Sequence, residues 1–190
     1  MGALPGVIRT RVGYAGGDSN DPTYHNLDGH TETVQVDFDP ARVGYQELVE
    51  AFFAGHDSTI PGLPRQYRSV VFVHDAGQER IAREVMRQVD EAAHRAVQTV
   101  ILPFDAFYPA EDYHQKYALQ GDRRLNAEFR AMYPAMRELV DSTAAARVNA
   151  YLYGEGTAEQ LQAEIDRLGL SPEGMARLQS VSPVGACPVQ

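Results

Sequence analysis

The sequence predicts an α+β protein built around a mixed sheet, and three stretches carry that prediction. Glu32 to Phe38 alternates Val34, Val36 and Phe38 against Thr33, Gln35 and Asp37, the period of a strand with one covered face. Tyr45, Leu48, Val49, Phe52 and Phe53 recur at helical spacing and stop at Gly55. Val70 to Val73 is an unbroken run of β-branched and aromatic residues, as in a strand buried on both faces.

The remaining elements follow in chain order. Val7 to Tyr14 sets Ile8, Thr10, Val12 and Tyr14 against Arg9 and Arg11 and ends at Gly16-Gly17, which predicts a half-buried strand. Gln78 to about Ala93 places Ile81, Val85, Val89 and Ala92 on one helical stripe, and Val97 to Leu102 reads as a further strand. After Pro109 the chain becomes a series of short helices: Asp112 to Leu119, Leu125 to Met132, Thr143 to Leu152 and Ala158 to Leu168. Thr157 with Gln160 forms a capping box, Gly169 supplies a C-terminal stop, and Ser171-Pro172 opens one more turn. These boundaries divide the chain into residues 1–119, a helical extension 120–181 and a tail 182–190. With no linker between them, the helices are expected to pack on the sheet.

Composition narrows the function. The 190 residues are 44% hydrophobic and 23% charged, with 17 Lys+Arg against 26 Asp+Glu and a net charge of -9. That balance repels phosphate backbones, so no nucleic-acid partner is expected. No apolar run reaches the roughly 18 to 20 residues that span a bilayer, so no membrane association is expected. A single cysteine, Cys187, excludes an internal disulfide, and we expect a cytoplasmic monomer. The six histidines show no ligand spacing backed by cysteines, so neither a metal nor another cofactor is expected. His114, in Asp112-Tyr113-His114-Gln115, reads as a hydrogen-bonded structural histidine.

Four stretches could carry chemistry: Gly13-Tyr14-Ala15-Gly16-Gly17, Pro22-Thr23-Tyr24, Gly29-His30-Thr31-Glu32 and Gln66-Tyr67-Arg68-Ser69. A tyrosine beside Gly or Pro is by itself most often a packed aromatic with a wet hydroxyl. Alternation along the strand places Glu32 on the side of Val34, Val36 and Phe38, where partial burial would favour the protonated carboxyl that a general acid requires.

These stretches, with Leu4-Pro5-Gly6-Val7, Val36-Asp37-Phe38-Asp39-Pro40, His56-Asp57 and Phe107-Tyr108-Pro109-Ala110-Glu111-Asp112-Tyr113-His114-Gln115, follow one another in an order that resembles the A-type peptide methionine sulfoxide reductases. The resemblance runs from residue 4 to about residue 117. It implies a ferredoxin-like mixed sheet, reduction of the S-epimer of methionine sulfoxide, free or in proteins, and thioredoxin as the electron donor, hence a role in repair of oxidative damage. By the same resemblance Tyr24, Glu32 and Tyr67 hold the sulfoxide oxygen, with Glu32 as the acid. As the S–O bond breaks the oxygen gains negative charge, which two phenols and a carboxyl can stabilise or protonate.

The family's nucleophile, a cysteine or selenocysteine in a Gly-Cys-Phe-Trp motif shortly upstream of the Leu-Pro-Gly-Val match, has no counterpart here, and the sequence contains no tryptophan. Two accounts compete. In the first, the strand and nucleophile precede Met1 in the gene, a selenocysteine UGA codon having been read as a stop; this makes the protein a selenoprotein candidate and the chain as given inactive. In the second, the chain is a pseudoenzyme that binds oxidised methionine, or an interaction module. By the resemblance the absent strand is central, and its loss would leave neighbouring backbone groups unpaired, which favours the first. Cys187 invites a resolving role, although no activating group stands near it in sequence. Residues Ser58 to Arg65, where relatives carry a longer loop with an aspartate, hold no carboxylate.

Overall fold

A computed structural model describes residues 1–184 and resolves the chain into five strands and eight α-helices among those residues. The strands are β1 (Val7–Ala15), β2 (Thr31–Phe38), β3 (Val70–Val73), β4 (Val100–Pro103) and β5 (Phe107–Pro109). They form two sheets, one ordered β2-β1-β5 and the other β3-β4. Antiparallel pairing joins β1 to β5 through Gly13↔Pro109, Tyr14↔Tyr108 and Ala15↔Phe107, whereas β3 and β4 run parallel with Val70 opposite Val100. The α+β class and the mixture of pairing directions hold, but the strands lie in two sheets where one was expected. Gly16 turns with φ +72 at the end of β1. An added Cβ there would stand 2.7 Å from the Phe72 ring, so β3 meets the end of β1 through a side chain packed on bare backbone.

The chain falls into two compact units. One contains Val12–Gln35 and Pro40–Glu111. Its core is Val49 and Phe53 of α1 (Tyr45–Ala54), Val71 and Val73 of β3, and Ala82 and Val85 of α2 (Ala76–Ala92). Asp75 accepts the Gln78 N–H at 2.9 Å and so starts α2 two residues before the start expected from periodicity. Conversely, β4 begins at Val100 and not at Val97, because the Val97 N–H is taken by the Asp90 side chain at 2.8 Å and the Gln98 N–H by the Ser58 carbonyl at 2.8 Å.

The other unit contains Met1–Arg11, Val36–Asp39 and the chain from Asp112 on, so the first residues group with the helices. Its helices are α3 (Tyr117–Gly121), α4 (Arg123–Met132), α5 (Met136–Asp141), α6 (Thr143–Leu152), α7 (Ala158–Glu164) and α8 (Pro172–Val181). Leu119, Leu125, Phe129, Leu139, Val148, Tyr151, Leu161 and Leu178 make its core. Ser142 caps α6 by accepting from Ala145, and two caps match the sequence signals: Thr157 and Gln160 form the capping box, and Ser171 accepts from Gly174. Glu128 accepts both the N–H and the hydroxyl of Ser171 at 2.8 Å, which pins the start of α8 against α4. Arg9 and Arg11 share Asp37 and Asp141 in a four-charge cluster. No described helix is long and apolar enough to cross a membrane. Cys187 lies outside the described residues.

Candidate active site

Every residue singled out as catalytic lies in the unit formed by Val12–Gln35 and Pro40–Glu111. Tyr24 sits at the tip of a long excursion between Gly16 and His30, closed on itself by the reciprocal Thr23 and Asn26 backbone bonds at 3.0 Å. Glu32 is the second residue of β2, and Tyr67 ends a short 3-10 turn, Arg65–Tyr67, just before β3. The Tyr24 phenol stands close enough to the Tyr67 hydroxyl to act on its proton. Tyr24 first, by hydrogen-bonding influence, then desolvation, then the charges of Tyr24 and Glu32 hold the Tyr67 phenol above its ordinary pKa. The three side chains are therefore brought together.

Glu32 itself differs from expectation. It is exposed, as is Val34 at 41%, so the face of β2 expected to be covered is open at these two positions. The opposite face is the buried one at the head of the strand, because the Thr31 hydroxyl donates to the Arg65 carbonyl at 3.0 Å and accepts from Arg68 Nε at 2.9 Å. Polar partners, not apolar ones, settled which face turned inward. The carboxylate is instead held from one side by Gln66, whose Nε2 donates to Oε1 at 2.7 Å.

Around these residues the quoted motifs become a scaffold. His30 is buried; its Nδ1 accepts the Gly17 N–H at 3.2 Å, so Nε2 carries the proton and donates to the Ser19 carbonyl at 2.9 Å. A Cβ at Gly17 would meet the His30 ring at 2.2 Å, which explains the second glycine of the pair. Glu111 accepts the Tyr14 hydroxyl at 2.7 Å and the Tyr24 N–H at 3.0 Å. His56 Nδ1 donates to the Phe52 carbonyl at 2.9 Å, so Nε2 accepts from Ser69 Oγ at 2.7 Å and fastens α1 to the start of β3. Asp57 accepts the N–H and hydroxyl of Thr59 and an Arg95 bond, which hold its carboxyl below its ordinary range. Arg65 donates to the Gly16 carbonyl at 3.0 Å, so the loop lacking a carboxylate brings a guanidinium to the root of the Tyr24 excursion.

Comparison with known proteins places this scaffold. A sequence model of the peptide methionine sulfoxide reductases matches residues 1–145. The chain belongs to the peptide methionine sulfoxide reductase family. Among relatives, the Drosophila melanogaster peptide methionine sulfoxide reductase is 40% identical over 174 residues, 90% of this chain and 69% of its own length. The MsrA protein of Methanothermobacter thermautotrophicus is 43% identical over 132 residues, 64% of this chain and 78% of its own. Among solved structures, Saccharomyces cerevisiae Mxr1 in reduced form matches with TM-score 0.57 at 29% identity, over 62% of this chain and 72% of the yeast chain. Methionine sulfoxide reductase A of Corynebacterium diphtheriae matches with TM-score 0.53 at 32% identity, over 62% of this chain. The match spans 65% of the Corynebacterium protein's length.

Gln66 and Glu111 were within the quoted motifs, but no role could be assigned to them from sequence. Their partners explain why: Glu32 lies 34 residues from Gln66, and Tyr24 lies 87 residues from Glu111. A single sequence holds no signal for such pairs beyond the presence of a polar side chain in a family motif.

Proposed function

We propose that these residues bind and polarise the oxygen of methionine (S)-sulfoxide, free or in proteins, for its reduction to methionine. The observation that carries the reading is that Tyr24 and Glu32 both stand near enough to Tyr67 to act on its phenol, in a chain of this family. Tyr24 and Tyr67, 37% and 51% exposed, can reach a sulfoxide on a substrate's surface. As a thiolate or selenolate attacks the sulfoxide sulfur and bonds to it, the phenols hydrogen-bond the sulfoxide oxygen and Glu32 relays a proton from solvent to it. The hydroxyl then passes to the attacking atom as the S–O bond and the new bond to the substrate sulfur break. The oxygen ends on the attacking atom as a sulfenic or selenenic acid, and the substrate leaves as the thioether. A second thiol condenses with that acid and releases water, and thioredoxin reduces the resulting bond. The cytoplasm is the compartment in which this cycle would run.

The 190 residues hold one thiol, Cys187. By the family's motif the attacking atom is a cysteine or selenocysteine in a Gly-Cys-Phe-Trp segment, and Cys187 is a candidate resolving thiol. The same single-cysteine composition favours a second reading, in which the chain binds oxidised methionine without reducing it. The two are separated by consumption of methionine (S)-sulfoxide with dithiothreitol as reductant. The chain as given should show no turnover above buffer, and a version carrying the Gly-Cys-Phe-Trp segment should turn over. Turnover by the 190 residues alone would overturn the assignment of the nucleophile, and inactivity of both forms would favour the binder.

A further inference from the structure

We propose that Glu111 is the positioning residue of Tyr24: its carboxylate bridges a buried phenol in β1 and the exposed loop tip, and so fixes where the Tyr24 hydroxyl stands. The inference deepens the reading above and takes its functional meaning from it.

The excursion that carries Tyr24 is secured at its root. The Asp18 N–H donates to the Asp28 carbonyl at 3.1 Å, the His30 N–H to the Leu27 carbonyl at 2.8 Å, and the His30 ring holds Gly17 and Ser19. Further out, the Tyr108 hydroxyl donates to Asn20 Oδ1 at 3.1 Å. At the tip the Thr23 and Asn26 bonds are internal to the turn, so they fix its shape but not its place. The Tyr24 N–H does fix place: it donates at 3.0 Å to Oε1 of Glu111, whose Oε2 accepts the hydroxyl of Tyr14 at 2.7 Å. Tyr14 is 2% exposed, and its strand is paired with β5 immediately before Glu111. The order of constraint is therefore core, Tyr14 phenol, Glu111 carboxylate, Tyr24 amide, Tyr24 hydroxyl.

The chemistry suits a carboxylate in particular. It accepts from two donors through two oxygens, and its charge strengthens both bonds. An amide in its place has one acceptor oxygen and turns an NH2 toward the second donor. Small errors in the placement of a group that must meet a reacting oxygen cost rate steeply, so a tie at the tip matters more than its contribution to stability.

Two variants of the 190-residue protein, Glu111→Ala and Glu111→Gln, test this by NMR. The readouts are amide hydrogen exchange and the Tyr67 13Cζ titration, with Tyr24→Phe as the reference. In Glu111→Ala the Tyr24 amide should exchange at least about tenfold faster, the loss of one charge-assisted bond, while Asp18 and His30 at the root keep their rates. The Tyr67 midpoint should fall toward that of Tyr24→Phe, although Glu111 acts on Tyr67 only through Tyr24, and Glu111→Gln should fall between. An unchanged Tyr24 rate overturns the proposal. So does acceleration of Asp18, His30 and β1 together with Tyr24, which is what a merely structural role would give. If Glu111→Ala fails to fold, Tyr14→Phe removes the buried end of the bridge; faster exchange at Tyr24 supports the proposal and an unchanged rate overturns it. Absence of sulfoxide binding by the unaltered protein would sink the proposed function alone, because neither readout requires a ligand.

Discussion

A phenol that stands beside a second phenol and a carboxylate gives up its proton reluctantly, because the phenolate would face a like charge. Tyr67 is in that position, and its raised pKa is a property of the site before any substrate arrives. With 13Cζ-labelled tyrosine, the Tyr67 resonance should titrate above the ordinary phenol range. Tyr24→Phe should lower the midpoint most and Glu32→Gln less, following the order of the causes; one midpoint common to all three proteins would show that neither group acts on Tyr67. At this scale the sequence named Tyr24, Glu32 and Tyr67 through the order of their motifs, but it misjudged the surroundings of Glu32. Strand alternation counted Val34, Val36 and Phe38 as an inward face, whereas the Thr31 hydroxyl bonds to Arg65 and Arg68 turned the other face inward at the head of β2. Hydrogen bonds to residues more than thirty positions away leave no mark on local periodicity.

Elements with enough residues to show a period were legible, and those without were not. β2, β3, α1 and α6 lie where alternation, an apolar run or a stripe with a cap placed them. β5 spans Phe107–Pro109 and ends in proline, too short to alternate, and it is recognisable only once it pairs with Gly13–Ala15. α5, Met136–Asp141, is shorter than two turns and begins with the Glu138 carboxylate accepting the Ala135 N–H. The Gly16-Gly17 pair, legible as a strand stop, turns out to serve close approach as well. Gly17→Ala would put a Cβ 2.4 Å from the His30 backbone nitrogen. We expect that substitution to cost about 1–3 kcal/mol in urea unfolding, the usual penalty of overpacking a tight contact. A loss under about 0.5 kcal/mol would show that the His30 latch gives way cheaply.

For the molecule as a whole, stability should depend on pH through Lys116, a buried ammonium that donates to the Thr10 carbonyl and, at 3.1 Å, to the Thr10 hydroxyl. Burial, then the nearby Arg11 charge, pull its pKa from 10.5 down to about 8, against the opposing pull of Asp141. Between about pH 8 and 10.5 the unfolded chain therefore holds a proton that the folded chain has lost, and stability rises with pH across that window. Below the window the charge is a penalty on the order of 3 kcal/mol. Urea unfolding should accordingly show the wild type gaining on Lys116→Met from pH 8 to 10.5, and parallel profiles would remove Lys116 as the cause. Nothing in the sequence flagged this lysine, because its burial depends on packing around Thr10, 106 residues earlier.

The central claim is that Tyr24, Glu32 and Tyr67 jointly receive a sulfoxide oxygen. Its most direct test is titration of the 190-residue protein with N-acetyl-methionine (S)-sulfoxide methylamide, followed through the labelled Tyr24 and Tyr67 rings and the Glu32 carboxyl carbon. The account predicts that all three signals move along one saturating curve, that the thioether leaves them in place, and that Tyr24→Phe weakens binding by about tenfold. Equal responses to sulfoxide and thioether, or a sulfoxide that moves none of the three, would contradict it.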